Sequence, residues 1–216
     1  MRYRLIIFDW DGTLADSIGN IVACTQEAAS SLGYPEIPER KIRAVIGLSL
    51  RESIRTFLPG CSDDEFERLV VAYRDCWIAN YRNRAKLFRG AVEALDELKS
   101  RGHMLAVATG KSRAGLDREI VATGLEGRFL ATRTPDEAAS KPSPEMVLGL
   151  LDETGTRAAE AVVIGDTVHD LDMARNAGVD AVAVLGGSHE RRHLEASEPI
   201  GLLSTVAELP VWLARL

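Results

Sequence analysis

One stretch near the N-terminus, Leu5-Ile6-Ile7-Phe8-Asp9-Trp10-Asp11-Gly12-Thr13, constrains the fold of this 216-residue chain more than any other. Four apolar residues in succession, closed off by a glycine, read as a short strand buried on both faces, the kind found in parallel sheets. Two carboxylates, Asp9 and Asp11, stand where that strand ends. In an open α/β sheet the carboxyl ends of the strands form the ligand crevice, so both acids are aimed at a site. Gly12 permits a sharp turn, Thr13 adds a hydroxyl and a backbone N–H, and Asp16 and Ser17 are placed to cap a following helix. The calcium-loop pattern Asp-x-Asp-x-Asp-Gly is not completed, which sets that competitor aside.

From Ser17 to about Lys86 the pattern is helical, with no strand signal. Ile18, Ile21, Val22, Thr25, Ala28, Ala29 and Leu32 recur at helix spacing and Gly33 ends the run. Two shorter helices are expected over Pro38 to Ile46 and Leu50 to Leu58, and a longer one from Asp63. Its stripe of Phe66, Leu69, Val70, Tyr73 and Trp77 reads as ordinary core packing. From Phe88 strands and helices alternate, which indicates parallel βαβ units. Strands are expected at Met104 to Ala108, Phe129 to Thr132, Ala161 to Ile164, Ala181 to Leu185 and Leu202-Leu203. Helices are expected at Gly90 to Arg101, Ser112 to Thr123, Ser143 to Glu153 and Asp170 to Ala177. A polar helix follows in the tail, then a last helix interrupted by Pro210. The fold class is therefore α/β, a doubly wound parallel sheet with a small α-helical insertion. Residues 1–15 and 87–216 form the expected core and 16–86 the insertion, with hinges near Ala15-Asp16 and Lys86 to Arg89.

Parallel strands bring the groups that end them to one edge, so Asp9, Thr109 and Asp166, each after an apolar run, should meet there. Several carboxylates in one crevice repel: at about 4 Å and an effective dielectric of 20, each like-charge pair costs on the order of 4 kcal/mol. Such a cluster calls for a cation, and all-oxygen ligands suit a hard ion, Mg²⁺ above all for phosphate chemistry.

The stretch FDWDGTLADS resembles the first motif of the haloacid dehalogenase superfamily, most of whose members are magnesium-dependent phosphatases with an aspartate nucleophile. Three further family motifs have matches in order: Thr109 in VATGKS, Lys141 in SKPSPE, and Asp166 with Asp170 in VVIGDTVHD. The resemblance implies that Asp9 attacks phosphorus to form an aspartyl-phosphate, while Asp11 protonates the leaving oxygen and later activates water. It implies Mg²⁺ on Asp9, the backbone carbonyl of Asp11, and Asp166, with Asp170 supporting the metal or orienting Lys141. Thr109, the N–H of Gly110, and Lys141 would hold the phosphoryl oxygens. Asp11, two residues beyond the nucleophile, argues for phosphate-ester chemistry over dehalogenation or phosphonate cleavage. Thr13 favours a phosphatase over the sugar phosphomutases. The insertion matches the helical cap of phosphoglycolate-phosphatase-like members, and its Gly47, Ser49 and Arg51 would face the leaving group. The tail departs from that subfamily, reading Glu198-Pro199-Ile200-Gly201 where Ala-Asp is usual. The expected substrate is a small phosphorylated metabolite, with phosphoglycolate, pyrophosphate, nucleoside monophosphates and sugar phosphates all open.

A net charge of −6 leaves no basic footprint for nucleic acid. Cys24, Cys61 and Cys76 lack zinc or redox spacing, and with no apolar run long enough for a membrane span the expectation is a cytoplasmic protein. Oligomeric state is unreadable.

Three other readings compete. His189-Glu190-Arg191-Arg192-His193 fits the H-E-x-x-H pattern of zinc peptidases, but no third ligand stands out, Glu195 being the sole candidate. Gly186-Gly187-Ser188 before it makes Ser188 the expected N-cap and the segment a charged, solvated helix. Gly110-Lys111-Ser112 resembles the end of a P-loop, but the first glycine would fall at Leu105 inside a strand. His169 lies between metal-site candidates and reads equally well as a supporting or surface residue. A phospho-receiver module also uses Asp, Mg²⁺, Thr and Lys on such a sheet, but is about half this length and carries its acceptor on a middle strand.

Overall fold

Leu5–Phe8 forms β1, and every one of its residues is buried because both faces of the sheet are covered. The computed structural model describes residues 2–81 and 85–216. After β1 come α1 (Ile18–Ser31), α2 (Glu39–Arg43), α3 (Leu50–Phe57) and α4 (Asp63–Asn80). The alternating part holds α5 (Ala91–Ser100), β2 (Met104–Ala108), α6 (Arg113–Ala122), β3 (Ala131–Arg133), α7 (Glu145–Thr154), β4 (Ala161–Gly165), α8 (Val168–Asn176) and β5 (Asp180–Val184). The tail adds α9 (Arg191–Ala196), β6 (Gly201–Leu203) and α10 (Leu209–Leu213).

All strand pairings within the sheet are parallel and the strand order is β3-β2-β1-β4-β5-β6. This is the doubly wound order, with chain direction across the sheet reversing beside β1. Alternate residues of β1 enter opposite cores. Ile6 and Phe8 join Leu95, Leu98, Leu116 and Leu209 on one face. Leu5 and Ile7 join Met146, Val147, Leu150, Leu171 and Leu194 on the other. Burial of such side chains stabilises by on the order of 2 kcal/mol each, so β1 cannot slip register without losing both layers.

Between β1 and α5 the chain runs as helices. Ile54, Phe66, Leu69 and Val70 make one small core there, and Ala29, Ile37 and Ile42 another. The two crossing segments lie side by side: Asp16 N–H donates to Lys86 O at 2.8 Å and Phe88 N–H to Leu14 O at 2.9 Å. Arg82–Arg84, within the expected helical span up to Lys86, lie outside the described residues.

Several expectations shift. α2 covers only part of Pro38 to Ile46, because beyond Ala44 the backbone tightens to i→i−3 bonds, Val45 N–H to Ile42 O at 3.1 Å and Ile46 N–H to Arg43 O at 3.2 Å. Ser17 does not cap α1; its hydroxyl donates to Asp11 Oδ1 at 2.6 Å instead. β3 begins later than expected, at Ala131. Pro210 sits in the first turn of α10, where its missing N–H breaks no hydrogen bond, so it starts the helix rather than interrupting it. The stripe on α4 divides: Phe66, Leu69 and Val70 are core, whereas Tyr73 and Trp77 lie outside that cluster and continue into a ladder with Tyr81. Among the described residues no helix is long and apolar enough to cross a membrane.

Candidate active site

The carboxyl ends of β1, β2 and β4 carry Asp9, Thr109 and Asp166, each placed by the buried strand before it and each itself buried. Asp170 joins them from the first turn of α8. There Thr167 builds a reciprocal cap: Asp170 Oδ2 accepts from Thr167 N–H at 3.0 Å and from its hydroxyl at 2.7 Å. The other oxygen, Oδ1, takes the Lys141 ammonium at 2.6 Å. Lys141, wholly buried, also pairs with Asp9 Oδ1. Asp166 accepts from the Thr13 hydroxyl at 2.8 Å and the Ser188 N–H at 2.7 Å. Gly187 is required here, since a Cβ at that position would overlap the Asp166 carboxylate.

Burial pushes the Asp9 carboxyl well above its usual range; Lys141 pulls it down, while Asp170 and Asp166 push it up again. Asp166 is pushed up to about 7, by burial first and then by the charge of Asp170. For Lys141 burial acts downward, but Asp170 and Asp9 outweigh it and the ammonium is held above its ordinary range. Oxygens of Asp9, Asp166 and Asp170 lie within 4.8 Å of one another, and Asp9 Oδ2 is buried without a hydrogen-bond partner. Three carboxylates against one ammonium, with an orphaned oxygen among them, fit a hard divalent cation.

Thr109 is buried beside this group, its Oγ1 accepting from Lys111 N–H at 3.2 Å. A Cβ on Gly110 would strike the carbonyl oxygens of Gly47 and Leu48, so the helical insertion meets the core at this glycine. Ser49 N–H donates to Ser140 Oγ at 2.9 Å, beside Lys141. Arg51 is not brought to the site. It lies exposed over the Phe66 ring and pairs with Glu67 at 3.2 Å, both residues of α4 within the insertion.

Asp11 meets the insertion through Lys111, which in the sequence stands out only as part of the P-loop-like Gly110-Lys111-Ser112. Its Oδ1 lies 3.2 Å from Lys111 Nζ, which also contacts Glu119 Oε1 at 3.0 Å and lies 4.8 Å from the Trp77 ring centroid. Trp10 Nε1 donates to Glu119 Oε2 at 2.6 Å. Burial acts to lower the Lys111 pKa, but Asp11 and Glu119 outweigh it and raise it. The signal available in sequence was Glu119, a charge three residues after Leu116 on the buried side of α6.

His189 lies before α9, whose N-cap is Glu190 rather than Ser188, so the two histidines of the H-E-x-x-H segment do not share a helix. His189 Nδ1 accepts from Val168 N–H at 3.1 Å, and Glu195 pairs with Arg191 at 3.0 Å. His169 donates through Nε2 to Ala44 O at 2.9 Å, a contact with the insertion.

The family model for haloacid dehalogenase-like hydrolases matches residues 6–184, from β1 to the end of β5. The chain belongs to the haloacid dehalogenase-like hydrolases. It is 38% identical to a protein of Dickeya dadantii (strain 3937) named "Probable phosphatase IndB", over 95% of this chain and 91% of that protein. It is 31% identical to a phosphoglycolate phosphatase of Synechococcus elongatus, over 95% of each. A hydrolase from Pseudomonas syringae of known crystal structure is 25% identical and superposes with a TM-score of 0.89, covering 99% of both chains. Asp9, Asp166 and Asp170 all lie within the matched residues.

Proposed function

We propose that this haloacid dehalogenase-like phosphatase hydrolyses a small, phosphoglycolate-like phosphomonoester with Asp9 as nucleophile and Mg²⁺ as cofactor. The observation that carries the reading is the buried group of Asp9, Asp166 and Asp170 around Lys141, with Asp9 Oδ2 unpartnered. In the first step an Asp9 oxygen forms a bond to phosphorus while the ester P–O bond breaks, and Asp11 gives its proton to the leaving oxygen. In the second, Asp11 takes a proton from water, the water oxygen attacks the aspartyl-phosphate, and inorganic phosphate departs, restoring Asp9. Lys141, Thr109 and the Gly110 N–H hold the phosphoryl oxygens. Asp9, the Asp11 carbonyl and Asp166 would hold Mg²⁺, with Asp170 behind them fixing Lys141. Bound there, the ion supplies positive charge to the crowded carboxylates and to the phosphoryl oxygens.

We read residues 16–86 as a cap on the core of 1–15 and 87–216, hinged where the segments around Ala15 and Leu87 run together. The separate small cores of the insertion and its approach to Gly110 support this. Ser49 stays with the site in this reading; Arg51 does not. The phosphoglycolate phosphatase of Synechococcus elongatus supports the substrate class. Three free, buried cysteines suit a reducing cytoplasm. Phosphate release from a metabolite panel that includes 2-phosphoglycolate and pyrophosphate, with Mg²⁺ and with EDTA, tests the reading. Mg²⁺-dependent release from one phosphomonoester above the rest is expected; no release from any compound would overturn it.

A further inference from the structure

Four elements meet at the Lys111 ammonium. The loop after β2 supplies Lys111, the loop after β1 Asp11, α6 Glu119 and α4 of the insertion Trp77. Only 11% of the Lys111 side chain is exposed. The chain of contacts runs from Trp10 through Glu119 and Lys111 to Asp11, so it starts and ends on the segment that carries the two catalytic acids. Both named contacts of the Asp11 carboxylate, from the Ser17 hydroxyl and from Lys111, fall on Oδ1. One oxygen is clamped, and the other is left to handle a proton.

We propose that Lys111 is a positioning residue: it holds the Asp11 carboxylate in the orientation that protonates the leaving oxygen, and Trp77 of the insertion holds Lys111 there. The idea rests on the phosphatase reading above. An ammonium on a four-carbon stem is a mobile, strongly hydrated group. Here two carboxylates fix it laterally and the Trp77 face shields it from water, a desolvated cation–π contact. Because Trp77 belongs to the insertion and Asp11 to the core, this contact makes the orientation of the acid depend on where the insertion sits. A lysine that merely neutralised buried carboxylates would have no such link to the leaving group.

The test compares kcat/KM, which reports steps through departure of the leaving group, for p-nitrophenyl phosphate and for the alkyl phosphomonoester best used by the unmodified enzyme. The nitrophenolate leaves without a proton; the alkoxide does not. Lys111→Met is expected to lower kcat/KM for the alkyl ester about 100-fold and for the aryl ester by no more than a few-fold, the scale of lost general-acid catalysis. Lys111→Arg should recover most of the loss. Trp77→Ala should show the same selectivity, smaller, at about 10-fold, and carries the comparison alone if Lys111→Met does not fold. Equal losses on both esters, or no loss on either, overturn the proposal. An unmodified enzyme that hydrolyses no ester overturns the phosphatase reading itself.

Discussion

Lys141 takes one oxygen of Asp9 and leaves the other, Oδ2, buried with no partner. The paired oxygen fixes the carboxylate in one orientation. The orphaned one is costly to bury unpaired, and it is the oxygen that the proposed reading gives to a cation or to phosphorus.

Asp9→Asn keeps the shape of the side chain and removes its nucleophilic charge. Turnover of phosphomonoesters is expected to fall by at least about 1,000-fold with the melting temperature and circular dichroism retained. Substantial residual phosphate release would remove Asp9 from the role of nucleophile.

Lys141→Met strips the buried cation from Asp9 and Asp170. Breaking such a pair from one side is expected to destabilise by about 3 kcal/mol at pH 7.5, measured by urea unfolding. Asp9 already has its folded pKa raised by burial, so the native state binds more protons than the unfolded chain in the window above the usual carboxylate range. Stability of the variant therefore falls as pH rises, and the deficit should narrow at pH 5. A deficit that stays constant with pH would argue that packing, not charge, accounts for the loss.

Metal binding should compete with protons at Asp166. Its folded pKa is pushed up to about 7, against an ordinary value of 3.8. Between those values the folded, metal-free chain keeps a proton that the unfolded chain has lost, so stability declines as pH rises through the window. Saturating Mg²⁺ is expected to raise the melting temperature more at pH 8 than at pH 5. Thermal shifts of equal size would dissociate Asp166 from the metal.

Gly110→Ala should push back the insertion. The new methyl group would collide with the carbonyl oxygens of Gly47 and Leu48, backbone atoms that cannot swing aside. We expect kcat/KM to fall by up to about 100-fold while the core keeps its stability, with faster proteolysis around residues 43–49. Unchanged kinetics and cleavage would show that the insertion need not seat on Gly110.

The alternating half of the chain was legible because β2, β4 and β5 are short apolar runs. β2 falls at the expected residues and β4 and β5 within one residue of them; Asp9, Lys141, Asp166 and Asp170 come together, and Thr109 follows β2, the strand next to β1. The insertion was legible only as helices. Ser49 and Arg51 are two residues apart, yet one reaches Ser140 and the other leans on Phe66 and Glu67. Nothing local to the turn distinguishes them.

Sequence alone determined the family and the sheet, and it placed the candidate acids at the strand ends, because strand burial and motif order are properties of neighbours along the chain. Tertiary structure decided which oxygen of Asp9 stays unpaired, that Ser17 serves Asp11 instead of its own helix, and that Trp77 lies over Lys111 rather than inside a helical core. Those contacts join residues distant in sequence, such as Lys111 of the loop after β2 with Trp77 of α4, and their energies depend on burial and direction that no spacing encodes.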